Sequence, residues 1–257
     1  MMMKCRPILR PLAFAVSILL LMAPSFQLAT ADTLSKTQKQ EIQTLIEQYI
    51  IEHPEIVVKA LEAMKKRQQQ EEEQRIAKEI QRLSNELFYS SGSPILGNPK
   101  GTVNLVFFFD YQCTYCKQMA GMLVERLKNE RNVRIVMKEF PILGPESFMM
   151  AQAALAARKQ GKYEAFHLAL MASRTRLTTE QVQKIAEGLG INLKQLSQDM
   201  QSTDVLQELD KNRSLGELLN IHGTPAFIVG RQVVVGAPNP EDLVAALRQL
   251  AKQPGSR

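Results

Sequence analysis

The sequence predicts an α/β domain of plan strand–helix–strand, then strand–strand–helix. A long helical insertion separates the two halves, and an all-α arm precedes them. Three observations carry this. Val103-Asn104-Leu105-Val106-Phe107-Phe108-Phe109 is a short apolar, aromatic-rich run with the length of a buried strand. From about residue 141 to 220 the apolar spacing is helical throughout. Beyond that the pattern changes to two short strands about a Gly230-Arg231 turn and closes on one helix.

The chain has 257 residues, three cysteines, no tryptophan and a formal net charge of +6. Lys4, Arg6 and Arg10 precede an apolar run, Ala13 to Met22, and Ala29-Thr30-Ala31 has the small-residue form of a cleavage site. This is the pattern of a signal peptide cut after Ala31; the apolar run is short for a membrane anchor and is cut off by Pro24. Cleavage would remove Cys5 and three positive charges. The remaining charge is no nucleic-acid footprint, and there is no basic stripe with interleaved aromatics. Export implies a compartment where disulfides persist, expected to be the periplasm.

The arm is expected over residues 32–91. Ser35 with Gln38 reads as a capping box, followed by an apolar stripe of Ile42, Leu45, Ile46, Tyr49 and Ile50. His53-Pro54 breaks the pattern, with Pro54 placed to open a second helix bearing Ile56, Val57, Ala60, Leu61 and Met64. Lys65 to Arg75 contains no apolar residue, but it is rich in helix formers and offers Glu71 to Arg75, so a continuous helix of about 34 residues is expected. Ile76, Ile80, Leu83 and Leu87 resume the stripe. A hairpin over 32–64 cannot bury its own stripe, which favours a homodimer, or a trimer, made through the arm; the alternatives are an intramolecular cap on the main domain and a partner-docking segment.

The main domain is expected over 92–257. Gly97-Asn98-Pro99-Lys100-Gly101 is a turn into the apolar strand. Lys117 to Leu127 reads as a helix with Met119, Met122, Leu123, Arg126 and Leu127 on one face, and Val133 to Phe140 as the next strand. Glu146–Gln160, Tyr163–Ala172, Thr179–Leu189 and Leu193–Asn220 are helical segments, the last one broken or continuous. Ala226–Val229 and Gln232–Val235 form the hairpin, and Pro240 opens the last helix.

At the strand-to-helix junction lies Cys113-Thr114-Tyr115-Cys116. A sulfur at a helix N-terminus meets unpaired N–H groups and the positive end of the dipole, which favour thiolate. A second sulfur one turn on can close a disulfide with little backbone movement. A structural disulfide would constrain only a four-residue loop, and zinc would need further cysteines that the chain lacks after Ala31. The pair therefore reads as a redox reagent.

Three stretches, Phe109-Asp110-Tyr111-Gln112-Cys113-Thr114-Tyr115-Cys116, Phe140-Pro141-Ile142-Leu143-Gly144 and Gly223-Thr224-Pro225-Ala226-Phe227, resemble the DsbA-like thiol:disulfide oxidoreductases, which have a thioredoxin fold with a helical insertion. The arm resembles those of the oligomeric DsbC-like, ScsC-like and dimeric DsbA-like proteins. The resemblance implies Cys113 as the exchanging sulfur, Cys116 as the resolving one, Thr114 and Tyr115 as tuners of redox poise, and a cis Pro225 facing the pair with Thr224 offering backbone to an extended client. It implies exported clients with thiols or disulfides and a membrane redox partner, and no cofactor or metal. The family's buried acid, six residues before the first cysteine, is Phe107 here; Glu139 on the next strand is a candidate stand-in, with Asp110 nearer the mouth. His222 could stabilise a thiolate or cap a loop, His53 and His167 read as structural, and Met119, Met122, Met149 and Met150 could line a groove or fill the core. Rival readings are an envelope scaffold or holdase, and a copper-binding protein.

Overall fold

The computed structural model describes residues 34–127 and 130–252, and the chain divides into two compact units, Met1–Leu61 and Glu62–Arg257. The expected signal peptide lies outside the described residues. In the first unit, α1 spans Lys36–Glu52. Its capping box is formed: Ser35 Oγ accepts from Gln38 N at 3.2 Å and Gln38 Oε1 accepts from Ser35 N at 2.9 Å. The helix stops at His53-Pro54, and α2 follows over Glu55–Arg82, with Pro54 O accepting from Val57 N. None of the residues of α1 is buried.

The polar stretch 65–75 is helical, as its composition requires, but Arg75 pairs with Glu72 at 2.7 Å rather than with Glu71. The helix is also shorter than expected, 28 residues, because Leu83 leaves helical geometry before a one-turn helix α3, Ser84–Phe88.

In the second unit a five-stranded sheet has the order β1-β3-β2-β4-β5, with β1 Ile95–Gly97, β2 Val103–Phe109, β3 Val133–Glu139, β4 Ala226–Val229 and β5 Gln232–Val235. β2 and β3 are parallel, joined by α4, Thr114–Leu127; the other pairings are antiparallel. Strand β1 is an addition to the expected plan: three residues are too few to show a period, and only pairing with β3 reveals them. The insertion holds α5 Pro145–Ala157, a 3₁₀ turn to Gln160, α6 Tyr163–Ala172, α7 Thr179–Gly188, α8 Leu193–Met200 and α9 Thr203–Leu218; α10 is Pro240–Ala251. The last insertion segment is thus broken, at Gln201-Ser202.

β2 has no polar face because both its faces are covered. Leu105, Phe107 and Phe109 share one core with α4, the insertion and α10, while Val106 and Phe108 share a second with Ile76, Ile80, Leu83, Leu87, Leu215 and Leu219. On α4 the buried face is Met119, Ala120, Leu123 and Leu127; Arg126, expected on it, is exposed and lies 3.9 Å from Glu241. Beneath α3, the fully buried Lys138 Nζ donates to Glu86 O at 2.8 Å and Ser93 Oγ at 2.7 Å, with Glu208 3.8 Å away. Burial pulls its ammonium down to about 8.

Helix α9 crosses Phe140 at Gly216, where a Cβ would fall 2.5 Å from the ring. Gly216→Ala should therefore destabilise by ~1–3 kcal/mol through overpacking, against the ~1 kcal/mol that alanine gains in a helix. A lower urea midpoint at unchanged slope is the expected result; a raised midpoint would show that the contact does not govern this position.

Candidate redox site

The site is built at the end of β2. Asp110 O accepts from Cys113 N at 3.1 Å and Asp110 Oδ1 accepts from Gln112 N at 2.7 Å, which turns the chain sharply into α4. Cys113 directly precedes α4 and so occupies its cap position, where serine or aspartate usually sits. Its sulfur does what their oxygens do: Cys113 Sγ accepts from Cys116 N at 3.3 Å, while Cys113 O accepts from Lys117 N.

The register of β2 against β4, Phe108 opposite Ala226, brings the preceding Thr224-Pro225 to the same end of the sheet. That bond is cis, and Thr224 O lies 3.2 Å from Cys113 Sγ. The structure thus brings together Cys113, Cys116, Thr224 and Pro225. Thr114 and Tyr115 point to solvent from the first turn of α4, Tyr115 being 62% exposed.

The two sulfurs, free thiols in this structure, differ electrostatically. Hydrogen bonding to the Cys116 thiol, then to Thr224 and to the N–H groups of Cys116 and Tyr115, brings Cys113 down to about 6 against the opposing effect of burial. Cys116 is fully buried, and burial first, then the Cys113 sulfur beside it, push its thiol far up. The pair is therefore one thiolate and one thiol near neutral pH, the arrangement that separates attack from resolution.

Phe107 stacks on Phe227 at 4.7 Å and fills the family's acid position with hydrocarbon. Glu139 is buried one rung away, opposite Phe109, but its Oε1 accepts from Tyr111 and Tyr163 hydroxyls, each at 2.9 Å, and neither cysteine is among its hydrogen-bond partners. Burial raises Glu139 well above the usual carboxylate range. His167 joins this cluster through Nδ1, 3.0 Å from the Tyr111 hydroxyl, and burial lowers it to about 3. Sequence reading missed the tyrosines; the signal available was Tyr163 and His167 at i, i+4 on one face of a mostly apolar helix.

His222 is exposed and meets Asn220 Oδ1 at 2.6 Å, so it caps the loop. Met119 and Met150 are core residues and Met149 is half-buried against them; the Met122 side chain lies outside the described residues. Among the described residues no group of three or more His, Cys, Asp or Glu side chains could hold a metal ion, and no helix is long and apolar enough to cross a membrane.

Alkylation of Cys113 should follow a titration with a midpoint near about 6, with Cys116 inert across the range. Thr224→Val, which keeps the carbonyl near Cys113 but loses the side-chain hydrogen bond that favours its thiolate, should move that midpoint up. Because the native value is depressed, the stabilisation that the thiolate gives the reduced protein is complete above the ordinary value of 9.0 and is lost as pH falls through about 6. A midpoint near 9, or equal reactivity of both thiols, would contradict this electrostatic picture.

Residues 104–248 match the family described as DSBA-like thioredoxin domain, and residues 38–71 match the copper resistance protein ScsC N-terminal domain. A thioredoxin-like oxidoreductase from Silicibacter pomeroyi is 39% identical with a TM-score of 0.64, over 66% of this chain and 98% of that one. The BcfH structure from Salmonella enterica Typhimurium is 28% identical with a TM-score of 0.70, over 83% of this chain and 96% of that one. A probable disulfide bond formation protein D of Bacillus cereus is 26% identical over 158 residues, which are 56% of this chain and 73% of that protein. The Na(+)/H(+) antiporter NhaA 3 of Salinispora tropica is 28% identical over 155 residues, 60% of this chain; the chain spans only 24% of that protein's length. With the match running from the strand before Cys113 into the last helix, and with the fold and the paired sulfurs in agreement, the chain belongs to the DSBA-like thioredoxin domain family of thiol-disulfide oxidoreductases.

Proposed function

We propose that this protein works in the periplasm, oxidising and isomerising disulfides of exported proteins as an oligomer joined through its arm. The observation that carries the reading is the Cys113 sulfur, held as a thiolate acceptor at the start of α4 beside a protonated, buried Cys116. In isomerisation the Cys113 thiolate attacks one sulfur of a client disulfide. The client S–S bond breaks, a Cys113–client disulfide forms and a client thiolate leaves. Another client thiolate then attacks the client sulfur of the mixed disulfide and returns Cys113 as thiolate, with no net electron transfer. In oxidation a client thiolate attacks Cys113 in the disulfide form and expels Cys116; a second client thiolate attacks the client sulfur, leaving the dithiol for a membrane redox partner to reoxidise.

The arm supports the oligomer. Leu45, Ile46 and Leu61 are 66%, 52% and 55% exposed in the single chain, on an element with no buried residue in α1. Each side chain stands to gain about 1 kcal/mol or more on burial against another copy. Catalytic domains sharing a client raise the local concentration of binding surface, which isomerisation needs while the thiolate attacks repeatedly.

A second reading has one observation in its favour, the arm's likeness to a copper resistance protein domain. Two thiolates one turn apart suit a soft monovalent copper ion. Refolding of a scrambled multi-disulfide substrate, beside copper stoichiometry with Cys113→Ser, separates the two. The protein without residues 1–31 should run above monomer mass in light scattering. Leu45→Asp with Ile46→Asp should bring it to monomer mass, keep dithiol oxidation and cut scrambled-substrate refolding several-fold. A parent that is already monomeric at micromolar concentration would refute the arm's role, and a monomeric variant that isomerises as well as the parent would separate oligomer from activity.

A further inference from the structure

A relay of side chains joins the arm to the loop that faces the redox pair. Glu72 and Arg75 on α2 form a two-pronged pair, with Arg75 Nε and Nη2 each 2.7 Å from a Glu72 oxygen. Both also reach the end of α9. Arg75 Nη1 donates at 3.2 Å to the carbonyl of Leu218, the last residue of that helix, and Glu72 Oε1 accepts from Asn220 Nδ2 at 3.4 Å. A cation on the C-terminal carbonyls of a helix suits its dipole. Glu72 and Arg75 fall between the two family matches, 38–71 and 104–248.

Asn220 passes the contact on. Among the described residues it alone, apart from glycines, has a positive φ, at 57°. That is the left-handed turn that ends a helix, and asparagine tolerates it. Ile221 N closes the turn by donating to Gly216 O at 2.8 Å. The other end of the Asn220 amide, Oδ1, lies 2.6 Å from His222 Nε2. Two residues on, Thr224 O lies 3.2 Å from Cys113 Sγ, and a hydrogen bond with the Thr224 side chain favours the Cys113 thiolate.

Beneath the relay, Ile221 is buried in the core that Ile76 and Ile80 of α2 share with Leu215 and Leu219. The loop from α9 to β4 is thus packed on the arm helix at Ile221. It is tied to the sheet where Gly236 N donates to Pro225 O at 2.8 Å. His222, Gly223 and Thr224 lie between these two anchors. A Cβ built on Gly223 would meet nothing within 4 Å, so packing does not hold the middle of this stretch. What fixes it from the α9 side is the polar relay.

We propose that Glu72, Arg75 and Asn220 are positioning residues for thiol exchange: they hold the stretch from His222 to Thr224 so that Thr224 stands against Cys113. The arm then belongs to the redox site from Glu72 onward and helps to set how strongly oxidising the pair is. None of the three is bonded to a sulfur; each acts through Thr224. The proposal rests on the thiol-exchange reading above and adds the route by which residues outside the matched redox domain tune it.

The test equilibrates the full protein with reduced and oxidised glutathione at neutral pH. Two glutathione thiols give two electrons and two protons to the Cys113–Cys116 disulfide, leaving the dithiol and one glutathione disulfide; the readout is the equilibrium constant of that reduction. Glu72→Ala with Arg75→Ala removes one charge of each sign, so the distant field at the sulfurs is little changed. It should lower the constant about threefold or more, because a less stabilised thiolate makes the pair less oxidising. Asn220→Gly, which keeps the left-handed turn, should lower it too. Glu79→Ala with Arg82→Ala, which removes a similar surface pair further along α2, is the control and should leave the constant unchanged. Added to Thr224→Val, the Glu72 and Arg75 changes should have little further effect, since both act through one contact. A constant that these changes move no more than the control does, or effects that add in full to that of Thr224→Val, overturns the proposal. A parent that does not exchange with glutathione overturns the exchange reading, and this proposal falls with it.

Discussion

Cys113 Sγ meets Cys116 twice, through the thiol, which does most to favour the thiolate, and through the N–H at 3.3 Å, which ties that sulfur to the start of α4. A helix begins with N–H groups that lack partners inside it, and a cap side chain supplies an acceptor. When that acceptor is a sulfur, the same bond that starts the helix stabilises the thiolate. Helix stability and nucleophile activation are then one interaction, and the reactive group cannot drift without fraying α4. The second sulfur follows from the same geometry, since the residue that donates the N–H is the one whose side chain stands a turn further in and is buried.

For that cap to face a client, the end of β2 must be fixed in three directions, and the double-sided burial of β2 does this. Phe107 and Phe109 lock it to the core shared with the insertion, and Val106 and Phe108 to the core closed by residues 76–87 of α2 and α3. Pairing with β3 aligns Phe109 with Glu139, and pairing with β4 places Ala226 opposite Phe108. The first pairing leads directly into Ile142 and Leu143, whose N–H groups donate to Asp110 Oδ2, the second into Thr224 and Pro225. The site is thus assembled from three strand ends at one end of the sheet, with Asp110 also accepting from Gln112 N and Ser147 Oγ.

Much of this was legible from the chain. Four of the five strands and the redox pair follow from apolar period and cysteine placement, because a buried strand and a helix start both leave local signatures. Thr224-Pro225 was found through resemblance rather than periodicity. Less legible were features that depend on a distant partner. Three residues of β1 carry no period of their own, and Leu83 looks like any helical leucine until α2 meets the sheet. Arg126 matched the buried stripe of α4 by spacing, yet its charge is better solvated at the surface near Glu241. The tyrosine cage around Glu139 joins residues from β3, α6 and the turn after β2, so no local pattern could announce it.

The cage bears on how Cys116 is deprotonated. Position 107 holds a phenylalanine where an acid was expected, and Glu139, whose Oε1 accepts from two tyrosines, does not hydrogen-bond the second thiol. What keeps Cys116 protonated is burial, then two effects of Cys113 itself: the hydrogen bond between the thiols and the repulsion of a neighbouring negative sulfur. Both vanish when Cys113 enters a mixed disulfide, since it then carries neither charge nor proton. The N–H of Asp110, which favours the Cys116 thiolate, remains, and so does the Thr224 contact. Cys116 is therefore held inactive while Cys113 is free and is eased toward thiolate once a client is bound. Burial still opposes that change, and with Phe107 where an acid was expected no carboxylate at that position assists it.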